Sequence, residues 1–188
     1  SVTAVMANTM HDNAEVEDLS VAILHYADGT LGQVTSSVVH HGEEQQLIFQ
    51  GQYARVSVPW KVVASVSKSN GFPEPNPELE RQLQALYEGL PAIGHEGHTG
   101  QIDDVLTALE RGTPVLIDGR AGKNTLELIT AIYKSASTGT TVTLPLPADD
   151  PFYTRQGMLR SAIRFYEKTG HVENFTDQEI TTGGNYGS

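Results

Sequence analysis

From residue 2 to residue 66 the chain is a succession of short extended segments joined by turns too tight to contain a helix. No other feature constrains the fold as much. Consecutive strands linked this way pair antiparallel, because a parallel pair needs a crossover of about a dozen residues or more. Leu19, Val21 and Ile23 alternate with Ser20 and Ala22, the period of a strand with one buried face. Asp28-Gly29 reads as a two-residue hairpin turn between extended runs. Residues 31–39 are rich in Val, Thr and Ser, Leu47 and Phe49 share a face of segment 45–50, and Gly51 marks a turn. Ala54, Val56 and Val58 lead to Pro59-Trp60, and residues 62–66 continue the meander. The strand–helix–strand alternation of a doubly wound sheet does not occur.

Helical periodicity begins later. Residues 68–77 carry Asn, Gly and three prolines and read as a loop. Asn76 before Pro77 is a capping residue followed by a first-turn proline, and Leu79, Leu83, Leu86, Tyr87 and Leu90 then define one helix face, ended by Gly89 and Pro91. After a glycine-rich stretch at 94–100, a second helix is predicted from Gln101, with Ile102, Val105, Leu106 and Leu109 on one side. Asp103 and Asp104 fall in its first turn, where the helix dipole favours negative charge. Gly112 permits the left-handed backbone that ends a helix, and Pro114 blocks resumption. A third helix follows Asp118, with Thr125, Leu128, Ile129, Ile132, Tyr133 and Ala136 sharing a face and Gly139 as its stop, before an extended segment at 141–146. A last helix is expected over 157–168, with Gly170 as its stop, and the tail at 181–188 has little to bury. The expected fold is α+β: an open, mainly antiparallel sheet with helices packed on one face, in one domain spanning residues 1–188.

Composition narrows the function. Twelve basic against 23 acidic side chains give a net charge of -11, and no Lys/Arg cluster offsets it, so nucleic acid is not expected as a partner. The absence of cysteine excludes disulfides, thiolate nucleophiles and cysteine metal sites. No apolar run approaches membrane-spanning length and no signal peptide opens the chain, so no membrane partner and a cytoplasmic location are expected. Ser1 begins what reads as a strand, without an initiating Met, which suggests a fragment of a longer protein.

Ordered motifs in the second half carry a resemblance. They are Gly97-His98, Gln101-Ile102-Asp103-Asp104-Val105-Leu106-Thr107-Ala108-Leu109, Gly112-Thr113-Pro114, and Asp118-Gly119-Arg120-Ala121-Gly122. Leu126-Glu127-Leu128-Ile129-Thr130-Ala131-Ile132-Tyr133-Lys134-Ser135-Ala136 and Thr138-Gly139 follow, through Leu144-Pro145-Leu146. In this order and spacing they resemble the C-terminal part of the Gfo/Idh/MocA oxidoreductases, the glucose–fructose oxidoreductase and inositol dehydrogenase family. More loosely, residues 17–32 and 49–56 look like that family's hairpins. The resemblance implies a substrate-binding and dimerisation domain, with NAD or NADP held by a separate N-terminal domain. It implies a sugar, polyol or related hydroxylated substrate and a homodimer through the open sheet face.

The residues agree that cofactor chemistry lies elsewhere. No G-x-G-x-x-G turn occurs; Gly94, Gly97 and Gly100 have the wrong spacing and follow no strand. Gly122-Lys123 lacks the first glycine of a P-loop, which Ile117 replaces, and the magnesium-binding hydroxyl, which Asn124 replaces. The family's Glu-Lys-Pro motif is absent, and its aspartate and histidine four residues apart would precede Val2. No catalytic and no cofactor-binding residue is therefore assigned, and the chain alone is expected to be inactive. Two alternatives stay open: a family member that binds without catalysing, and a free-standing dimerisation module.

The candidate substrate-binding residues are His98, His95 and Arg155. An imidazole titrates near neutrality and can hydrogen-bond or relay a proton to a polyol. The competing reading has His98 or Thr99 capping the helix and His95 solvated. Arg155 and Arg160 could meet a phosphate or simply pair with surface carboxylates. His95-Glu96-Gly97-His98 is not the zinc-binding H-E-x-x-H helix, and His40 and His41 point to opposite sides of a strand, so no metal site is assigned. Trp60 and Tyr53 suit a sheet face or subunit contact better than sugar stacking.

Overall fold

The computed structural model describes residues 1–42, 45–92 and 97–168. Its strands are β1 (Val2–Ala7), β2 (Leu19–His25), β3 (Leu31–Ser37), β4 (Leu47–Gln50), β5 (Ala54–Val58), β6 (Lys61–Ser67) and β7 (Pro73–Pro75). The helices are α1 (Pro77–Glu88), α2 (Gly97–Arg111), α3 (Gly119–Thr138) and α4 (Arg155–Ser161), with a 3-10 turn at Pro151–Tyr153. Every strand pairing is antiparallel, as the short connections require. Hydrogen bonds assign the strands to two sheets, β1-β2-β3 and β4-β5-β6-β7. The chain forms two compact units: residues 1–41 with the chain from Pro114 onward, and Gly42–Thr113.

In the first unit, the register sets Val2 opposite Leu24 and Ala4 opposite Ala22 on one face of the sheet. These four residues pack with Ala131 and Ile132 of α3, and with Val142 and Leu146 from the segment after it. The buried stripe of α3 is rotated from the one its periodicity suggests. Ala131, Ile132 and Ser135 are buried, while Ile129 is 46% exposed. Small side chains at 131 and 135 let the helix backbone approach β1. Ser135, fully buried, accepts the N–H of Ala4 at 2.8 Å and donates to the carbonyl of Thr140 at 2.7 Å. The N–H groups of Val2 and Val142 each donate to the other's carbonyl at 2.8 Å. Segment 141–146, expected to be extended, meets the sheet only through this bridge.

The β2–β3 hairpin has a three-residue loop rather than the two-residue turn read from Asp28-Gly29. Tyr26 N–H donates to Thr30 O at 3.0 Å, and Gly29 N–H to Tyr26 O at 3.1 Å. Gly29, at φ 88°, takes the left-handed position, and Thr30 N–H donates to the Asp28 carboxylate at 2.9 Å. This is a type I turn closed by a glycine bulge. The same device recurs in the second unit, where Lys68 N–H donates to Phe72 O and Gly71 N–H to Lys68 O, both at 2.9 Å, with Gly71 at φ 82°. Residues 68–77 are therefore a hairpin with a short strand, not only a loop. Its prolines disguised β7, an edge strand where a missing N–H costs no ladder bond.

Helix α1 starts as its sequence indicates: the Asn76 side chain accepts the N–H of Leu79 at 3.1 Å, with Pro77 in the first turn. Glu80 ties it to the sheet by accepting Ala64 N–H at 2.9 Å. Trp60 donates its indole N–H to Gln84 at 2.7 Å and stacks on Tyr87 with ring centroids 3.9 Å apart. Helix α2 begins at Gly97, ahead of the expected Gln101, so Asp103 and Asp104 sit in its second turn. Gly112, at φ 64°, ends it as expected, and α3 runs from the Asp118 cap to a left-handed Gly139.

Helix α4 is much shorter than the expected 157–168. The residues beyond it spend their hydrogen-bonding groups elsewhere: Ile163 N–H on Ser137, Phe165 N–H on Glu15 O, and the Arg164 guanidinium on the Glu15 carboxylate. Gly157 is buried because a β-carbon there would lie 1.9 Å from Pro151 O. The expected stop at Gly170 and the tail lie outside the described residues.

Replacing Ser135 with Ala strands the Ala4 N–H beside an apolar wall and is expected to cost about 1–3 kcal/mol. Ile132→Ala opens a cavity in the same core and is expected to cost about 2–5 kcal/mol. Urea unfolding of both variants checks this; two neutral substitutions would remove α3 from the core.

Candidate functional site

The residues with chemistry divide into carboxylates committed to the fold and side chains free to meet a ligand. The first group was missed in the sequence because its partners are mostly backbone N–H groups. Asp18, 4% exposed, ends the β1–β2 loop. Its carboxylate accepts the N–H of Thr9 at 2.9 Å, the N–H of Met10 at 2.8 Å, the Thr9 hydroxyl at 3.3 Å and His11 Nδ1 at 3.2 Å. Burial alone would raise its pKa. The backbone donors of Thr9 and Met10, then the His11 and Thr9 side chains, outweigh that and bring it down to about 2. Asn8 fixes the same loop by donating to the carbonyls of His11 and Val16 at 2.9 and 2.8 Å.

Two more pairs pin α3. Tyr133 donates its hydroxyl to Glu17 at 2.5 Å, and burial, then the Glu17 carboxylate, push the phenol's pKa up. The second Glu17 oxygen is buried without a donor among the described residues. Lys134 pairs with Asp150. Burial opposes ionisation of Asp150, but the lysine and the Phe152 N–H hold its pKa below the usual carboxylate value. With their lone pairs directed at the fold, Asp18 and Asp150 are not placed to act on a ligand.

The ligand-facing candidates are elsewhere. His98 lies in the first turn of α2, exposed, with Nδ1 2.9 Å from Gln101 Oε1. Its ring is thus engaged with the next turn of the same helix. Gln101, Ile102, Val105 and Leu106 line an open, shallow groove of about 330 Å³. Arg155 is exposed at the start of α4, in the other unit, with no hydrogen bond or ion pair among the described residues. His95 lies outside the described residues. Trp60, weighed for an interface, is spent on α1, while Tyr53 is 58% exposed.

Neither unit fits a dinucleotide. A pyrophosphate cradle needs a parallel strand leading through a glycine turn into a helix N-terminus, and the described strands pair only antiparallel. Among the described residues no three His, Asp or Glu side chains converge on a metal position, and no helix is long and apolar enough to cross a membrane.

The depressed Asp18 pKa makes a signed prediction. A carboxylate that ionises more readily folded than unfolded contributes stability above its unfolded pKa, and that contribution is lost as pH falls toward the folded value. For Asp18 the window runs from 3.8 down to about 2. Asp18→Asn should lower Tm at neutral pH, with the gap to wild type closing across that window. A gap independent of pH would show that the charge contributes nothing.

Comparison with known proteins now has a fold and a site to attach to. A model of the C-terminal alpha/beta domain of the Gfo/Idh/MocA oxidoreductase family matches residues 1–144. Among solved structures, the WlbA dehydrogenase from Bordetella pertussis, in complex with NADH and UDP-GlcNAcA, is 27% identical, with a TM-score of 0.54 over 78% of this chain and 42% of that one. The aldose-aldose oxidoreductase from Caulobacter crescentus, complexed with glycerol, is 22% identical, with a TM-score of 0.53 over 76% of this chain and 40% of its own. Levoglucosan dehydrogenase, in complex with NADH and levoglucosan, is 20% identical, with a TM-score of 0.53 over 77% and 44%. The last two likenesses are of fold alone. The chain spans less than half the length of each of these structures. No curated protein matches it by sequence. The antiparallel sheets, the helices that cap them and the family match over residues 1–144 lead to one assignment: the chain belongs to the Gfo/Idh/MocA oxidoreductases, as their C-terminal alpha/beta domain.

Proposed function

We propose that this chain is the substrate-binding and dimerisation domain of an NAD(P)-dependent oxidoreductase acting on a sugar, polyol or related hydroxylated compound. The nicotinamide nucleotide is held by a separate N-terminal domain, and this chain alone does not catalyse hydride transfer. The observation that carries this reading is the family match over residues 1–144, in a chain spanning 42% of a dehydrogenase solved with NADH and a nucleotide sugar. Antiparallel sheets without a pyrophosphate cradle support placing the cofactor elsewhere.

In this reading His98 is the leading candidate for contact with a substrate hydroxyl, with His95 and Arg155 as further contacts. Two copies associate through the sheet face opposite α3, where Val5 is 66% and Leu31 64% exposed beside Val21 and Ile23. Burying such side chains on both copies is worth roughly 1.5–3 kcal/mol each. The assembly works in the cytoplasm.

The test joins this chain to the residues that its reading frame places before Ser1 and assays NAD(P)-dependent oxidation across sugars and polyols. Turnover is expected only for the joined protein. His98→Ala is expected to raise KM roughly three- to ten-fold with kcat nearly unchanged, the signature of one lost hydrogen bond to bound substrate. Tight NADH binding by the present chain alone would overturn the reading.

A further inference from the structure

We propose that Gln101 is a positioning residue that fixes the tautomer of His98, so that the imidazole offers an acceptor, Nε2, to the ligand. The proposal deepens the reading of His98 given above and rests on it for the identity of the ligand. Its basis is one contact. His98 Nδ1 lies 2.9 Å from Gln101 Oε1. An amide oxygen carries no proton, so the imidazole nitrogen must donate. A neutral imidazole has a single N–H, and with that proton on Nδ1, Nε2 is left with a free lone pair.

The two residues are three apart on α2, the spacing at which helix side chains meet. The pair therefore depends on helix formation, which the left-handed Gly97 at φ 59° permits where α2 starts. The same contact argues against His98 as a mere cap, because its Nδ1 serves a side chain and not an orphan backbone group. Gln101 also lines the groove with Ile102, Val105 and Leu106. An acceptor at the end of an apolar strip suits a ring with a C–H face and a donating hydroxyl.

The chemical consequence is selectivity by hydrogen-bond polarity. A ligand hydroxyl donates to Nε2, whereas a carbonyl or ether oxygen at that place sets lone pair against lone pair. His98 held this way favours an alcohol over the corresponding ketone. The opposite tautomer would favour the ketone.

Nitrogen-15 NMR of the imidazole nitrogens, at a pH where His98 is neutral, reads the tautomer directly, with His98→Ala assigning the signals among the 7 histidines. Wild type is expected to show Nδ1–H as the major form. Gln101→Leu removes the acceptor and should shift the tautomer ratio toward Nε2–H by about two-fold, the scale of one exposed i,i+3 helix contact. Gln101→Glu retains an acceptor and should restore Nδ1–H. Both substitutions are on an exposed position. A major Nε2–H form in wild type, or a ratio unmoved by Gln101→Leu, overturns the proposal. If the ratio responds as expected but His98→Ala leaves KM unchanged in the joined protein, the tautomer assignment stands and the ligand reading falls.

Discussion

The first unit depends on how the outer edge of β1 is closed. That strand has a sheet neighbour on one side only, and an open row of N–H and C=O groups costs stability once apolar residues surround it. Two devices close it: the reciprocal bonds between Val2 and Val142, and the Ser135 hydroxyl on Ala4 N–H. Both come from one stretch of chain, because Ser135 also holds Thr140 O and so fixes the turn that delivers Val142. The close approach of α3 follows from this, since the hydroxyl reaches the strand only if the facing residues are small. Ala4, Ala22 and Ala131 are all buried there.

This arrangement explains which features the sequence disclosed. Antiparallel pairing was legible because it is a consequence of connection length. Caps were legible because Asn76 and Asp118 act within three residues of their partners. The buried stripe of α3 was not, because periodicity ranks Ile129 above Ser135 by hydrophobicity, whereas the strand edge selects a hydroxyl. β7 was hidden by its prolines, which are acceptable only because that strand lies at an edge. The extent of α4 depended on Glu15, far away in sequence, whose carbonyl and carboxylate take Phe165 and Arg164.

The candidate site was legible only as residue types. His98 stood out because glycine-rich surroundings and a helix start bring an imidazole to the surface. Its partner Gln101 did not, since a surface glutamine carries no sequence signal. Asp18 was likewise invisible: its donors are chiefly backbone groups of Thr9 and Met10, which any residues would supply. Of the 23 acidic residues, those with the most depressed pKa values are consumed by loops and turns. A perturbed carboxylate here marks architecture rather than chemistry, although perturbed groups cluster at active sites in general.

That division bears on how such a domain serves an oxidoreductase. Hydride transfer requires a donor and acceptor carbon held together, and rate comes from groups that bind the transition state better than the ground state. A domain with no dinucleotide cradle contributes to that only by orienting the substrate. Orientation asks for rigid backbone and few, well-directed polar atoms. Hydrogen-bonded carboxylates lock the β1–β2 loop and α3, leaving exposed polar side chains such as His98 and Arg155 to be directed by local helix geometry. In that arrangement, specificity for a hydroxylated ring is set by the direction of single hydrogen bonds, and the tautomer of one imidazole is enough to reverse it.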